Sequence, residues 1–508
     1  MSYTGLIEVM GRVNDFLNAS SVLSWDARVM MPRGGSASRS KQLSTLTVAA
    51  RNLLCSDEVK RALEGAEKDV AGKAADSPEA RLVAQVQEAI DWHERIPAEL
   101  LRRKTELGSE AHAVWAEARR TANFGLFEGA LTQMVEINRE MAQAIGYEDH
   151  PYDALMYRFE PGMTKKGLDT LFAQLREGML PLVRAIAQAE QPRSEFLRRD
   201  YPENQQMAFA LKMAEKIGYD LDRGRLDLTV HPFEISFTRN DVRITTRVAR
   251  NFMQMSLFGA LHEAGHGMYE QNVDPAYTRT PLATDLISLY AVGGVSFGAH
   301  ESQSRLWENH VGRSRAFWAN HMDDIRAAHP GLLDDVTPEE FYRAINTSAP
   351  SLIRVEADEL TYDFHVMLRC ELEAKMVDGS LAVADLPEAW NAGMKDMLGV
   401  DVPDDAHGVL QDVHWSSGQI GTFCNYTVGN IMAAQLFETA TAGDPAIKAG
   451  LDAADYAPLR NWLSENVARH GRRFSRDELL EQATGRKLDP APYLAYLKQK
   501  YSEIYALA

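Results

Sequence analysis

The chain has 508 residues, about three times the usual length of one domain, so it can bury a large core without disulfide staples. It carries 54 Lys and Arg against 72 Asp and Glu, and the resulting formal charge of -18 disfavours nucleic acid and anionic membranes as partners. With 45% hydrophobic and 25% charged residues, the composition is that of a folded globular protein and excludes a globally disordered chain.

Cysteine usage and hydropathy bear on the compartment. No run of about 18 uninterrupted apolar residues is present, and the first residues lack a basic segment followed by an apolar core. The three cysteines, Cys55, Cys370 and Cys424, are few, odd in number and far apart, which favours a reducing compartment. We therefore expect a cytoplasmic protein with no membrane partner.

Helical periodicity dominates the first half of the chain. Apolar residues recur there at three- and four-residue spacing, most clearly in segments 6–21, 79–93, 125–145 and 166–189. Turn signals such as Glu160-Pro161-Gly162 separate helices rather than domains. The pattern predicts a mainly α fold with one domain over residues 1–508.

The character changes between about residues 227 and 248. The segments DLTVHPFEISF and DVRITTRV alternate β-branched and aromatic residues with polar ones, and the polar residues 238–241 join them. This predicts a β-hairpin. Helical patterning returns from about residue 250, with loops expected around 401–406, a Gly-rich stretch at 418–429 and a last helix opened by Pro490 and Pro492.

The most specific chemical signal is His262-Glu263-Ala264-Gly265-His266, which lies in a helical apolar pattern. Histidines four residues apart project from one face of a helix and can share a tetrahedral zinc ion, with the intervening Glu placed as a general base. Gly265 and Gly267 each weaken the helix by about 1 kcal/mol relative to Ala, which suggests that something approaches the helix closely.

A catalytic zinc site needs a third protein ligand. Glu301 follows His266 with 34 residues between them, and two antiparallel helices could bring it to the metal. His300, Asp285 and Glu270 are rivals by spacing, and the residues alone leave the choice open.

The chain also resembles a known family, the metallocarboxypeptidases typified by carboxypeptidase Taq, known as peptidase family M32. Six motifs occur in the family's order: HPF at 231–233, DxRxT at 241–245, HExxH at 262–266, HES at 300–302, IRxxAD at 353–358 and GxxQDxHW at 408–415. The likeness extends over essentially the whole chain.

The resemblance implies a helical gluzincin-like fold with a deep substrate groove, metal-site helices at about 250–310, and a homodimer. It implies a metallocarboxypeptidase that removes single residues from peptide C-termini with one divalent ion per chain, Zn²⁺ first and Co²⁺ or Mn²⁺ in some members. Carried over by motif, His262, His266 and Glu301 are metal ligands and Glu263 is the general base.

Substrate-binding residues follow from the same motifs. An exopeptidase must recognise a terminal carboxylate, and the planar fork of a guanidinium matches its two oxygens. Arg243 and Arg354 are the candidates for this role. His414 and Tyr426 are side chains of the kind that can donate to an oxyanion, and His231 is expected to shape the groove.

Two segments depart from the family pattern. Residues 422–425 replace a Tyr, a Pro and a Thr with Thr422, Cys424 and Asn425, and residues 282–290 look longer than the usual connection. A longer loop beside the metal could form a lid, so we expect an altered substrate range rather than lost activity.

Two competing functions remain at this stage. An oligopeptidase or dipeptidase would use the same zinc chemistry, and a non-catalytic protein could bind peptides in the groove. The intact set of two histidines and two glutamates argues against the second. Phosphate-binding and redox chemistry find no support, because GxxxxGK[ST], a strand-borne GxGxxG and CxxC are all missing from the sequence.

Overall fold

The computed structural model describes residues 2–507. Contacts within that part of the chain group it into two compact units, each built from three stretches. The first unit comprises residues up to 93, 193–345 and 432–489, and the second comprises 94–192, 346–431 and 490 onward. Each is described by itself below.

From residue 2 to the sheet, the described chain forms nine α-helices. They are α1 Tyr3–Val29, α2 Ser36–Leu54, α3 Asp57–Val70, α4 Pro78–Arg95, α5 Ala98–Arg120, α6 Gly125–Ile145, α7 Pro151–Tyr157, α8 Lys165–Ile186 and α9 Glu203–Ile217. The four helices predicted from periodicity correspond to α1, α4, α6 and α8, which confirms that part of the prediction.

A three-stranded sheet lies in the first unit, with strands β1 Gly224–Leu228, β2 Glu234–Thr238 and β3 Asp241–Thr246 in the order β1-β3-β2. The antiparallel pair β2 and β3 confirms the predicted hairpin. The segment predicted as one strand, DLTVHPFEISF, is however interrupted between Leu228 and Glu234, and its first part pairs in parallel with β3. Pro232 has no N–H to donate to a ladder, which accounts for the break.

Eleven further helices follow within the described residues. They are α10 Gln254–Gln271, α11 Phe297–Arg305, α12 Arg315–Ala328, α13 Pro338–Ile345, α14 Tyr362–Asp378, α15 Leu386–Leu398, α16 Cys424–Gly443, α17 Pro445–Asp452, α18 Ala457–Asn466, α19 Arg476–Thr484 and α20 Ala491–Tyr505. A π-helical segment, Leu306–Gly312, continues directly from α11. The predicted mainly α class with a small sheet is confirmed, and no described helix has the length and apolar character that crossing a bilayer requires.

The Gly-rich stretch at 418–429 is helical in its second half. Only Gly418 to Phe423 lie outside helices of the α type, because α16 already begins at Cys424. Val428 and Ile431 on that helix are fully buried, so packing overrides the weak helix propensity of Gly429.

The departure at 282–290 is tied into the core of the first unit. Leu282 and Leu286 are 1% and 5% exposed and join the apolar cluster formed by α1 to α4. Asp285 and Tyr290 exchange two backbone hydrogen bonds, of 2.8 and 3.0 Å, that close the turn between them. Tyr290, at the end of the turn, is the exposed residue of the segment, whereas residues 286–289 at the turn tip are buried or half-buried.

Candidate metal centre

Helix α10 carries both histidines of the HExxH motif on one face. The helix packs on β3, where the Thr246 hydroxyl donates to the Ser256 carbonyl over 2.9 Å. The rings of His262 and His266, one turn apart, have their centroids 5.0 Å apart. The helical context that the motif requires is therefore present.

Helix α11 reaches α10 at Gly265. A Cβ atom on Gly265 would lie 2.5 Å from the Gln303 carbonyl oxygen and 2.7 Å from Ser304 Cα, so only glycine allows this contact between backbones. Gly267 is close to the Tyr219 ring, 2.8 Å from a Cβ placed there. The expectation that something approaches this helix closely is confirmed, and the contact brings Glu301 to the two histidines.

The three side chains form a compact set of donors. Glu301 Oε2 lies 3.3 Å from His266 Nε2 and 3.6 Å from His262 Nε2. Ligands at about 2.1 Å from a tetrahedral zinc ion would be about 3.4 Å apart, so the set fits such an ion. Among residues 2–507 it is the one His, Cys, Asp and Glu group whose donor atoms all lie within 4.8 Å of one another.

The rival ligands lie outside this group. Asp285 instead accepts hydrogen bonds from the backbone of Ile287 and Ser288. Glu270 accepts from Gly293, and His300 contacts His266 through a ring nitrogen rather than joining the donor set. Of the four candidates that spacing left open, Glu301 is the one that lies in the compact donor group with His262 and His266.

Glu301 is held ionised by its neighbours. Arg305 donates from Nε to Oε1 over 2.8 Å, which leaves Oε2 toward the histidines. Burial alone would raise the pKa of Glu301, but His262 and Arg305 hold it far below its ordinary value. An ionised carboxylate is the form that binds a metal ion.

The histidines differ in their surroundings. Burial lowers the pKa of His262, but the carboxylates of Glu301 and Glu308 outweigh burial and leave it raised. Burial and the neighbouring His300 lower the pKa of His266 to about 3, so its ring is neutral at ordinary pH. Glu308, whose Oε2 lies 3.0 Å from His262 Nδ1, is in turn contacted by Arg313 over 3.2 Å.

Glu263 lies between the two histidines in the sequence and is 6% exposed. Burial raises its pKa to about 7, opposed by His262 and assisted by the Glu301 and Glu308 carboxylates. A carboxylate with a pKa near the working pH can both accept and release a proton.

The chain matches a known protein family over almost its whole length. The model of the carboxypeptidase Taq (M32) metallopeptidases matches residues 5–501. The chain belongs to the M32 family. Carboxypeptidase 1 of Bacillus subtilis is 37% identical over 501 residues, with 98% of both chains covered. Thermostable carboxypeptidase 1 of Thermus thermophilus is 37% identical over 514 residues, with 99% of both covered.

Solved structures agree with this membership. The crystal structure of the M32 carboxypeptidase from Deinococcus radiodurans R1 has a TM-score of 0.94, with 40% identity over 99% of each chain. The predicted family, fold class and enzyme class are confirmed. The protein is a metallocarboxypeptidase, a hydrolase that acts on peptides with a divalent metal ion.

Arg354 of this M32 chain lies in the second unit, in a buried ionic cluster. Its Nε and Nη2 donate to Asp412 Oδ1 over 3.1 and 2.8 Å, and its Nη1 donates to the Tyr362 hydroxyl over 2.7 Å. Arg369 donates to the other oxygen of Asp412 over 2.6 Å. Two guanidinium groups thus share one carboxylate, and the cluster keeps an excess positive charge.

His414 and Tyr426 lie next to the same cluster, and both contact the ring of Phe423. The Phe423 ring lies 4.6 Å from the His414 ring and 6.3 Å from the Tyr426 ring, and the Arg354 guanidinium lies 5.1 Å from the Tyr426 ring. His414 Nδ1 is buried without a hydrogen-bond partner among the described residues. Burial and then Arg354 lower the His414 pKa to about 4.

The remaining candidates, Arg243 and His231, belong to the sheet region of the first unit. Arg243 donates from Nε and Nη2 to both carboxylate oxygens of Asp241, each over 2.9 Å, and its guanidinium lies 4.4 Å from the Trp25 ring. His231 is exposed in the connection before β2. The structure does not bring these two residues together through any described contact.

The departures at 422–425 span the start of α16, with Thr422 just before the helix and Cys424 and Asn425 in its first turn. Asn425 donates from its side chain to the Thr422 hydroxyl over 3.3 Å, and both residues are buried. Phe423, between them, keeps an aromatic ring against Arg354. The replaced residues therefore flank a ring that packs on the Arg354 cluster.

Sequence reasoning missed Glu308 and Asp412, which contact the candidate residues His262 and Arg354. Glu308 follows Glu301 by seven residues, about two helical turns, so spacing alone could have placed both on one face. Asp412 is the Asp of the GxxQDxHW motif. Nothing in the sequence predicts its pairing with Arg354 and Arg369, which are 58 and 43 residues away.

Proposed function

We propose that this protein is a zinc-dependent carboxypeptidase that releases single residues from the C-termini of peptides. The observation that carries the proposal is the compact donor set of His262, His266 and Glu301. The buried carboxylate of Glu263 interacts electrostatically with His262 and Glu301 of this set. Two imidazoles and one carboxylate are a common catalytic zinc set, and Co²⁺ or Mn²⁺ would also fit these ligands.

A divalent ion held by these three residues would polarise the scissile carbonyl and make a water molecule more acidic. Glu263 takes the proton of that water and passes it to the leaving amine. Its buried carboxylate, with a pKa raised to about 7, suits both halves of this transfer.

Recognition of the terminal carboxylate falls to Arg354 in this proposal. A guanidinium has five N–H donors, and the hydrogen bonds to Asp412 and Tyr362 use three of them, which leaves two for a substrate. Arg243 is the second candidate, with His414 and Tyr426 as groups that touch the substrate near Arg354. His231 contributes to the shape of the substrate site.

Further properties follow from the family resemblance and the composition. We propose a homodimer, which light scattering after gel filtration would detect as twice the chain mass. A cytoplasmic location is supported by the few, widely spaced cysteines. The substrates are peptides, and the charge of -18 disfavours nucleic acid.

The test is a mass-spectrometric time course on a mixed-sequence peptide after chelation and after restoring Zn²⁺, Co²⁺ or Mn²⁺. We expect a metal-dependent ladder that loses one C-terminal residue at a time. Internal cleavage would indicate an oligopeptidase instead. Peptide binding without hydrolysis, with metal demonstrably bound, would indicate a non-catalytic peptide-binding protein.

The variant Glu263→Gln tests the general base. It keeps the size of the side chain but cannot accept the proton, so kcat should fall by about 10²- to 10⁴-fold while the metal content stays at one ion per chain. Metal analysis of the purified variant is the control. A variant that keeps most of its kcat with metal bound would contradict the assignment of Glu263.

A further inference from the structure

The two ligand histidines of α10 have different partners on their second ring nitrogens. His262 Nδ1 lies 3.0 Å from the Glu308 carboxylate, a direct contact between imidazole and carboxylate. His266 Nδ1 lies 2.5 Å from Nδ1 of another imidazole, that of His300. The second contact needs an explanation, because two ring nitrogens can share a hydrogen only if one of them donates and the other accepts.

The metal-ligand role decides the direction of this hydrogen bond. His266 faces Glu301 with Nε2, so the lone pair for a metal is on Nε2 and the hydrogen is on Nδ1. His266 Nδ1–H therefore donates to His300 Nδ1. His300 then carries its own hydrogen on Nε2, which lies 3.0 Å from Glu270 Oε1 and donates to it.

The backbone holds Glu270 at the end of this series. Its Oε1 and Oε2 accept from the Gly293 N–H over 3.0 and 2.9 Å, and Oε1 also accepts from the Gly294 N–H over 3.2 Å. Because both oxygens of Glu270 accept hydrogen bonds, the contact with His300 requires a hydrogen on His300 Nε2. Glu270 therefore selects the Nε2–H tautomer of His300.

The two glycines are required for this arrangement. A Cβ atom on Gly293 would lie 2.6 Å from the Val273 side chain, and one on Gly294 would lie 2.7 Å from His300 Cδ2. Any other residue would push the loop away from Glu270 and His300. Gly293 and Gly294, before α11, thus allow the backbone to hold Glu270 and to pack against His300.

The series is buried and closely packed. The His300 side chain is 13% exposed and that of Glu270 is 6% exposed. Within the first unit, the Tyr269 ring lies 5.4 Å from the His300 ring, and the Glu234 carboxylate lies 3.9 Å from His300 Nε2. Little water can replace a lost hydrogen bond there, so each partner matters.

We propose that His300 and Glu270 are positioning residues that fix the tautomer and ring orientation of His266, and thereby set the affinity and geometry of the metal site. The inference rests on the proposed metal site and adds to it two residues that are not ligands. Partners of this kind on ligand histidines commonly change metal affinity about 10- to 100-fold when replaced.

The test uses His300→Phe and Glu270→Gln in the full chain, with His321→Phe as a matched control. His321 is also a buried histidine of the first unit, between Asp324 at 3.0 Å and the Tyr456 hydroxyl at 2.7 Å, but it contacts no metal ligand. Chelator competition gives the Zn²⁺ dissociation constant, the Co²⁺ form gives a visible spectrum, and melting of the metal-free form gives stability.

We expect His300→Phe and Glu270→Gln each to weaken Zn²⁺ binding about 10- to 100-fold and to alter the Co²⁺ spectrum. The control should match the wild type in both readouts even if its metal-free form melts at a lower temperature. Because the contacts are in series, the double variant should bind Zn²⁺ no more weakly than His300→Phe alone.

Two outcomes would overturn the proposal. Wild-type affinity and an unchanged Co²⁺ spectrum in both single variants would show that His300 and Glu270 do not position His266. Losses of affinity that add in the double variant would contradict a series of contacts. If the wild type itself binds no metal at His262, His266 and Glu301, the proposed function fails, and not only the proposed role of His300 and Glu270.

Discussion

At the scale of single residues, Asp412 organises the charge of the second unit. It is 11% exposed, and one carboxylate oxygen faces Arg354 while the other faces Arg369. Although burial opposes it, the two guanidinium groups hold the pKa of Asp412 far below its ordinary value. The carboxylate fixes the Arg354 fork without neutralising the whole cluster, and the positive charge that remains is the basis for proposing Arg354 as the receptor of a substrate carboxylate.

The variant Arg354→Lys should therefore lose selectivity for a free C-terminus. Lysine cannot form the fork, and a lost hydrogen bond to a charged group is worth about 1.5–3 kcal/mol, or roughly 10- to 100-fold in kcat/KM. The measurement compares each peptide with its C-terminally amidated form, for which the loss should disappear.

Arg243→Lys is the comparison, since its guanidinium already donates two hydrogen bonds to Asp241. We expect a smaller change in the ratio of free acid to amide. If Arg243→Lys changes that ratio more than Arg354→Lys does, Arg243 is the carboxylate receptor instead.

At the scale of elements, the metal centre depends on how closely two helices approach. Helices α10 and α11 meet at Gly265, and the π-helical segment after α11 meets α10 at Gly312, where a Cβ would lie 2.6 Å from the Leu261 side chain. The separation of these elements sets the distance from Glu301 to the histidines. A glycine at position 265 is thus required for the close approach of α11 on which the proposed metal site depends, although it weakens the helix.

The variant Gly265→Ala should push α11 away from α10. We expect a loss of about 1–3 kcal/mol in the free energy of unfolding from overpacking, together with weaker Zn²⁺ binding. Gly259→Ala on the same helix is the control, because its Cβ would meet only the Thr246 hydroxyl at 3.1 Å. Titration with a chelator and thermal melting check both variants, and an unchanged Zn²⁺ affinity in Gly265→Ala would contradict the argument.

Local patterns predicted the elements better than their partners. Periodicity identified the helix around His262, and β-alternation identified the hairpin of β2 and β3, because both signals lie within a short window. The pairing of β1 with β3, the helical start of α16 and the carboxylate beside Arg354 depend on residues far away in the sequence. Tertiary packing decides these features, and a pattern in one segment carries little information about them.

At the scale of the whole molecule, several buried histidines make stability depend on pH. Burial lowers the pKa of His329 to about 4, and burial with nearby arginines lowers that of His365 to about 3 and that of His414 to about 4. Both ring nitrogens of His365 and Nε2 of His329 are buried without a hydrogen-bond partner among the described residues. Charging any of these rings in place is unfavourable.

The sign of the pH dependence follows from these lowered pKa values. As the pH falls below about 6.5, the unfolded chain binds protons that the folded chain refuses until about pH 4. Stability is therefore present above about pH 6.5 and is lost toward pH 4, by roughly 1.4 kcal/mol per pH unit for each such histidine.

The variant His329→Phe isolates one of these contributions. Its melting temperature, followed from pH 7.5 to 4.5 in the presence of a chelator, should fall less steeply than that of the wild type. His329 packs edge-on against the Tyr201 ring at 5.0 Å, so an aromatic replacement keeps much of the packing. An acid slope equal to that of the wild type would contradict the role of His329.

The discontinuous first unit also affects how the protein is made. The apolar cluster of α1 to α4 is completed by Leu282, Leu286 and Ala291, which leave the ribosome only after residues 94–192 of the second unit. At a synthesis rate of about 5–20 residues per second, the ribosome needs on the order of 10 to 40 s to go from the end of α4 to Leu282 and Ala291. During that time their apolar faces are incompletely covered, so nascent chains halted near residue 200 should be cut by protease in α1 to α3 and should recruit chaperones.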